Sequence, residues 1–185
     1  MKNSNLEFLK NILCEQDVVA SLTTNFNALC KIIPEVKDME QTDHKHPHHN
    51  DTVWEHTLKA LSYSPNNFDI RLTLLLHDIG KPFVFFEGDD GVRHFWGHAE
   101  KSAEIAKRVL SELNVDTKYQ EYICKLVITH DTKITEQMIE DDYNFCCTLY
   151  QVQLCDSLAH DPAHNQKRMN LMAQTKQIID NYKTK

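Results

Sequence analysis

The stretch LLLHDIGKP, residues 74–82, places an adjacent histidine and aspartate at the end of an apolar segment. Apolar residues recur there at helical spacing, which predicts a helix buried along one face and ended by Gly80 and Pro82. If Asp78 leaves water for apolar surroundings, its carboxylate needs a partner, either hydrogen-bonded cations or a metal ion. Because His77 is its neighbour, the sequence favours a metal, although an isolated His-Asp pair is more often an ordinary helix end.

Four other predicted helices also carry a metal-capable side chain at an apolar position or at a helix end. His56 falls on the inward face of a helix that Thr52 begins with a capping-box pattern. His98 lies in the first turn of a later helix, and His130 ends the apolar stripe of the next. Asp156 falls on the stripe of the following helix. Together the five segments predict a cluster of imidazoles and carboxylates inside a helical bundle.

The predicted cluster has four histidines and two aspartates, which exceeds what one ion usually takes from a protein. The sequence therefore leaves room for two ions. Mixed nitrogen and oxygen ligands suit Fe, Mn, Co, Ni or Zn better than Ca, although the sequence does not choose among them. Asp131 is open to three roles, as a further ligand, an orienting residue or a surface group, and we favour the last two. Cys155 is expected to be an ordinary reduced thiol.

Several other histidines have weaker support as site residues. The polar stretch QTDHKHPHHND carries His44, His46, His48 and His49. Such a tract could bind metal by itself, but we interpret it as a loop. Three more histidines are expected at the surface: His94, His160 and His164. For His94, a substrate contact is the less favoured alternative.

Local signals predict the remaining elements. Apolar spacing indicates helices over about 6–13 and 18–33, with Pro34 ending the second. Asn66 or Asn67 is expected to begin the central helix. All four glycines lie between positions 80 and 97. This distribution predicts an all-α protein with one irregular insertion, a small β-hairpin at about 83–96.

Composition limits the classes of function. The chain has 185 residues and a formal net charge of −7, which disfavours an extended nucleic acid surface but permits a small anionic substrate beside bound divalent cations. No apolar segment approaches the roughly 18 residues needed to span a bilayer, so we expect no membrane association and a cytoplasmic location. The oligomeric state is open.

The order of the candidate residues, a histidine, a His-Asp pair and a late aspartate, resembles the HD superfamily of metal-dependent phosphohydrolases. The resemblance is closest to the HD domain that follows the catalytic head in bacterial tRNA nucleotidyltransferases. Five segments carry it: HPHHNDTVWEHTLKAL (46–61), LTLLLHDIGKP (72–82), HFWGHAEKSAEIA (94–106), VITHD (127–131) and QLCDSLAH (153–160). No glycine-rich strand-turn motif with paired acidic residues occurs in the first 40 residues, so nucleotide transfer to tRNA ends is not expected.

The resemblance implies roles for individual residues. Four of them would hold the primary ion: His56, His77, Asp78 and Asp156. His98 and His130 match the positions that hold a second ion, with Asp78 as the bridge. Lys81 matches a lysine that faces the substrate phosphate. The implied cofactor is one or two divalent ions, of Fe, Mn, Ni, Co, Zn or Mg.

The implied catalytic residues are Asp78, Lys81 and His130. A metal-bound hydroxide would attack the phosphoester, and Lys81 would neutralise a non-bridging oxygen. His130, if it is not a ligand, or a metal-bound water would protonate the leaving group.

The expected fold is an all-α HD-domain helical bundle, with residues 1–185 forming one domain. Its motif-bearing core would span about 40–165, with N-terminal helices in 1–33 and a C-terminal helix over 162–182 packing on it. The expected function is hydrolysis of a nucleotide phosphomonoester or of a (cyclic) phosphodiester. The alternative is a non-catalytic sensor or regulatory module that binds metal and nucleotide. A third hypothesis, an RNA-binding accessory domain, is disfavoured by the acidic net charge.

Overall fold

Eleven α-helices and one two-stranded antiparallel sheet form the parts of the chain described by the computed structural model, residues 4–44, 51–89 and 91–183. The helices are α1 (Ser4–Leu13), α2 (Val18–Thr24), α3 (Phe26–Ile32), α4 (Glu35–Gln41), α5 (Val53–Ser62), α6 (Phe68–Leu76), α7 (His98–Glu112), α8 (Thr117–Ile128), α9 (Glu136–Asp141), α10 (Tyr143–Ala159) and α11 (Gln166–Lys183). The all-α prediction is confirmed. None of these helices is long and apolar enough to cross a bilayer.

The N-terminal segment contains more helices than predicted. The helix expected over 18–33 is two helices, because Asn25 interrupts it: its side-chain amide and its backbone N–H both bond to the carbonyl of Ser21. Helix α4 was not predicted. Pro34 ends α3 as expected but also stands at the N-cap of α4, where its missing N–H costs nothing.

Helix α5 begins with the predicted capping box. The Thr52 hydroxyl accepts from the backbone N–H of Glu55 (3.1 Å), and the Glu55 carboxylate accepts from the backbone N–H of Thr52 (2.8 Å). His56 and Thr57 are fully buried on the same face as the apolar residues, as expected. The cap therefore sets the helix phase that carries His56 inward.

Helix α6 is the centre of the bundle. Asn67 caps it by accepting from the backbone N–H of Ile70 (3.1 Å). Every residue from Ile70 to Leu76 is buried, so the prediction of one buried face was too narrow. The helix contacts α1, α5, α7, α8 and α10, and these neighbours surround it.

The predicted hairpin is present but shorter than expected. Its strands are β1 (Phe86–Glu87) and β2 (Arg93–His94), with Phe86 opposite His94 and Glu87 opposite Arg93. A 3-10 turn over Lys81–Phe83 takes up the start of the expected first strand. Beyond β2 the chain turns at Gly97, which has a φ of 76°, and enters α7.

The C-terminal helices pack around α6. Helix α8 lies against α7 and α6, and α10 packs on α5, α6 and α11. Helix α9, between His130 and the cap of α10 at Asp142, was not predicted. A 3-10 turn over Pro162–His164 precedes α11, so the helix expected over 162–182 begins only at Gln166.

Candidate metal centre

The first group of metal-capable side chains comes from α5, the turn after α6, and α10. Its ligand atoms belong to His56, His77 and Asp156 and lie within 4.8 Å of one another. Nε2 of His56 is 2.8 Å from Oδ1 of Asp156, and Nε2 of His77 is 3.7 Å from the same oxygen. Oδ2 of Asp78 adds a fourth donor, 3.2 Å from His77 Nε2 and 3.8 Å from His56 Nε2.

The second group contains Asp78, His98 and His130, again with ligand atoms within 4.8 Å of one another. The two imidazole Nε2 atoms are 3.2 Å apart. They lie 3.5 Å (His98) and 3.8 Å (His130) from Oδ1 of Asp78. Asp78 thus points one carboxylate oxygen at each group, and the structure brings together all six residues predicted from the sequence.

Backbone carbonyls orient three of the four rings. Each ring can donate its Nδ1–H to the carbonyl three residues earlier: His77 to Leu74 (2.7 Å), His98 to Phe95 (2.9 Å) and His130 to Val127 (2.7 Å). A proton on Nδ1 leaves the Nε2 lone pair directed into the cluster. Such a hydrogen bond behind a histidine is the usual support for a metal ligand.

Burial and hydrogen bonding also fit an ion. Nε2 of His77 and Oδ1 of Asp78 are buried and make no hydrogen bond within the described residues. A buried polar atom without a partner costs free energy, and a bound cation would compensate both atoms. The residues present therefore fit a divalent metal of the nitrogen- and oxygen-binding class.

The electrostatics of the cluster favour positive charge. Burial by itself would lower the pKa of His77, but the carboxylates of Asp78 and Asp156 outweigh it and raise the pKa to about 10. Burial would likewise raise the pKa of Asp78, but His77 and Lys81 hold that pKa well below its usual range. A field that attracts a proton this strongly also attracts a metal cation.

At His130, unlike His77, the effect of burial is larger than that of the nearby carboxylates. Burial lowers the pKa of His130, although Asp131 and Asp78 oppose this shift. The ring is therefore neutral at pH 7, the state that a metal ligand requires.

Two histidines that the sequence analysis placed elsewhere lie beside the cluster. His44 lies in irregular backbone, as the loop interpretation predicts, but it is buried, and its Nδ1 donates to the carbonyl of Asp51 (2.9 Å). His160 was expected at the surface but is largely buried. Its Nδ1 donates to the carbonyl of Asp156 (2.8 Å), and its ring meets the edge of the His56 ring. His164 is exposed as expected, whereas His46, His48 and His49 lie outside the described residues.

Two cations contact the cluster carboxylates. Lys81 lies 2.6 Å from Oδ2 of Asp78, and Arg168 lies 3.3 Å from Oδ2 of Asp156. Arg168 was not identified from the sequence, because no local pattern marks it. The turn between α10 and α11 brings it back to the cluster. Asp131 is 44% exposed, and its Oδ2 lies 3.3 Å from Nε2 of His98 and 3.5 Å from Nε2 of His130. Its role as a further ligand, an orienting residue or a surface group stays a prediction.

Two cavities open onto the cluster. The larger, about 670 Å³, is lined by residues that include Lys81, Trp96, His98 and Arg168. The smaller, about 340 Å³, reaches His130 and Asp156, and Asp131 and Arg168 line both cavities. A ligand in the larger cavity would therefore have access to the second group.

Two known proteins resemble part of this chain. The chain is similar to the CC-adding tRNA nucleotidyltransferase of Thermus thermophilus, with 35% identity over 95 residues, which is 48% of this chain and 22% of that protein. It is also similar to the A-adding tRNA nucleotidyltransferase of Deinococcus radiodurans, with 34% identity over 89 residues, 45% of this chain and 20% of that protein. The chain thus spans about a fifth of the length of these relatives.

A family model for the HD domain matches residues 53–184. The match includes the helix of His56, the His-Asp pair after α6, and the helices and turns that carry the other cluster residues. Because this match covers most of the chain, the protein belongs to the HD domain family.

Proposed function

We propose that this protein is a metal-dependent phosphohydrolase that cleaves a phosphomonoester or (cyclic) phosphodiester of a nucleotide. One observation carries the proposal: the buried Asp78 directs its two oxygens at two separate groups of histidines. Paired sites that share a carboxylate suit two-metal hydrolysis of phosphate esters. The nucleotide class is supported by the similarity to two tRNA nucleotidyltransferases.

The proposal assigns four ligands to the first ion and three to the second. The first set is His56, His77, Asp156 and Oδ2 of Asp78. The second set is His98, His130 and Oδ1 of Asp78. When bound, divalent ions would activate a water molecule and offset the charge that develops on the phosphoryl oxygens.

The cationic side chains have a separate role. We propose that Lys81, which lines the larger cavity, contacts a phosphate oxygen once Asp78 is committed to the ions. Arg168 is the corresponding donor between the two cavities. His130 is favoured as a ligand over a proton donor, because its Nδ1–H is directed to a carbonyl and its Nε2 lone pair faces Asp78.

One observation favours the non-catalytic alternative. Lys81 and Arg168 already pair with Asp78 and Asp156, so the chain itself partly neutralises the cluster carboxylates. A module that binds a nucleotide without turnover could keep these pairs intact. Metal content and turnover distinguish the two functions.

Metal analysis tests the ligand assignment. Protein purified without chelators should contain one to two transition-metal ions per chain. Asp78→Asn should lose both ions, because each group loses a ligand, whereas Asp156→Asn should lose only the first. Asp180→Asn, the same change at an exposed position on α11, should keep the wild-type content. Equal metal content in all three variants would contradict the assignment.

A phosphoester panel tests the reaction. Nucleoside monophosphates and 2',3'-cyclic nucleotides would be offered with Mn, Ni, Co or Mg, and release of phosphate or opening of the cyclic ester would be measured. Turnover should appear with at least one metal and vanish in the His77→Ala, Asp78→Ala double variant. Nucleotide binding without turnover would support the sensor. Absence of metal, with ligand binding unchanged in the double variant, would exclude the enzyme.

A further inference from the structure

Three aromatic rings of the hairpin stack with nearly parallel planes, and we call them the hairpin platform: Phe86 and Trp96, which are exposed, and His94, which is half-buried. The plane of the Trp96 ring lies 14° from that of Phe86 and 20° from that of His94. The Trp96 ring centroid is 5.2 Å from that of His94 and 6.3 Å from that of Phe86. Trp96 is 75% exposed and Phe86 is 58% exposed. A large aromatic surface left in water is a common mark of a binding site.

The platform is held in place by contacts at the base of the hairpin. The guanidinium of Arg93 lies 4.5 Å from the centre of the Phe85 ring and donates to the carbonyl of Asp43 (2.8 Å). It also pairs with Glu87 across the hairpin (3.2 Å). These contacts tie β2 to the segment before α5. The platform is therefore preorganised, and a ligand would lose little free energy in ordering it.

The platform continues into the cavity of the candidate metal centre. Trp96 lies two residues before His98, and both line the 670 Å³ cavity. Three cationic side chains, Lys81, Lys167 and Arg168, line the same cavity, together with the carboxylates of Glu100 and Asp131, so its charged lining has a small positive excess. A ligand that fits both features has a planar ring at one end and a negative charge at the other. Nucleotides have this composition.

We propose that the hairpin platform is a nucleobase subsite, in which a base stacks on Trp96 while the phosphate of the same nucleotide lies at the metal groups. The placement of the phosphate rests on the proposed function, whereas stacking of the base does not. Every base has a π-face, so stacking discriminates little among the four bases. The platform would therefore select nucleotides over phosphoesters that have no base.

Binding tests the subsite without turnover. The probes are AMP and ribose 5-phosphate, which lacks the base, measured by calorimetry in the presence of EDTA. Replacing an aromatic ring that stacks on a base typically weakens binding about tenfold or more. Trp96→Ala should therefore weaken AMP binding by about this factor, and Trp96→Phe should recover most of it. Tyr63→Ala, which removes an exposed aromatic ring outside the hairpin, should leave AMP binding unchanged.

Tryptophan fluorescence gives a second readout in the wild-type protein. The chain has two tryptophans, and Trp54 is only 6% exposed. Adenosine should therefore quench the emission of Trp96 and leave that of Trp54. Because Trp96 is exposed, Trp96→Ala should keep the wild-type melting temperature, and circular dichroism would verify this.

Hydrolysis separates failure of the subsite from failure of the proposed function. If both hold, the ratio of kcat/KM for AMP to that for ribose 5-phosphate falls about tenfold in Trp96→Ala. An unchanged ratio with active enzyme overturns the subsite alone. AMP binding that depends on Trp96, with neither probe hydrolysed under any metal, upholds the subsite and argues against the enzyme. Self-association that Trp96→Ala abolishes, with AMP binding unaffected, would show that the platform contacts a second copy and would overturn the proposal.

Discussion

At the scale of single residues, Asp78 links the two groups of metal-capable side chains. It follows His77 directly, so the end of one buried helix supplies an imidazole to the first group and the carboxylate that lies between the two groups. Four histidine nitrogens can approach it because their rings come from four separate elements. Convergence of the six residues is a feature of the structure, whereas metal binding by each of them stays a prediction.

Protonation of His77 predicts how the metal-free protein responds to pH. Its pKa is about 10 in the folded chain and about 6.5 in an unfolded one. The folded state therefore holds an extra proton between these values, so the contribution of His77 to stability is fully present below pH 6.5 and is lost as the pH rises towards 10. In EDTA, the free energy of unfolding by urea should fall by up to about 1.4 kcal/mol per pH unit in this interval.

The control for this pH dependence is the same substitution at a second histidine. His77→Gln should flatten the slope, whereas His164→Gln, at an exposed histidine, should keep it. With a divalent ion bound the direction should reverse, because a ligand histidine must lose its proton. Equal slopes for the two variants in EDTA would show that His77 is not the titrating group.

At the scale of secondary-structure elements, the position of the second group depends on close contact between the turn after α6 and the start of α7. Gly80 allows this approach: a Cβ there would lie 2.5 Å from the backbone nitrogen of Ser102 and 2.7 Å from the carbonyl oxygen of His98. Its backbone N–H donates to the Ser102 hydroxyl (2.9 Å). The distance between His98 and Asp78 thus depends on the absence of a side chain at Gly80.

Gly80→Ala should therefore push α7 away from the His-Asp turn. We expect a loss of about 1–3 kcal/mol in the free energy of unfolding, typical of overpacking against backbone. The second metal should bind more weakly while the first is retained. Chemical denaturation and metal titration measure the two effects.

Gly91→Ala is the matched control for the effect on metal. Gly91 has a φ of 74°, so alanine there costs about 1 kcal/mol of backbone strain, but its surroundings are open. Metal stoichiometry should stay at the wild-type value. If Gly80→Ala also kept both metals at wild-type affinity, the close approach would not control the second group.

At the scale of the whole molecule, the N-terminal helices are connected to the centre of the bundle. Arg71, on α6, is buried and donates from Nη1 to the carbonyls of Leu13 (2.7 Å) and Glu15 (2.8 Å). Its Nε donates to the hydroxyl of Ser64 (3.1 Å). One guanidinium therefore connects the end of α1 to the helix that carries the His-Asp pair. The organisation of residues 1–185 as one domain stays a prediction.

Arg71→Met should destabilise the whole fold by about 3 kcal/mol, because it removes the donor to the buried Leu13 carbonyl and to the partly buried Glu15 carbonyl. The matched change Arg108→Met removes an arginine that is 40% exposed and pairs with Glu35 and Glu112. That loss should stay below about 1 kcal/mol. Urea denaturation measures both variants. Equal losses would mean that Arg71 does not stabilise the junction.

Features carried by strong local patterns could be predicted. The capping box at Thr52, the Asn67 cap and the apolar spacing of α7 and α8 each act over a few residues. Helices α4 and α9 were missed because they are only seven and six residues long and bury few apolar side chains. The division of the 18–33 helix at Asn25 was missed because apolar spacing continues across it.

The sequence by itself determined the donor residues, their order and the helices that turn them inward, because periodicity and capping are local properties of the chain. Only the tertiary structure decided how the donors divide into two groups and which oxygen of Asp78 faces each. Those contacts join residues far apart in sequence, such as His56 and Asp156, which are separated by 100 positions. The placement of His44, His160 and Arg168 beside the cluster has the same cause: it depends on how whole segments pack around α6, which no local pattern encodes.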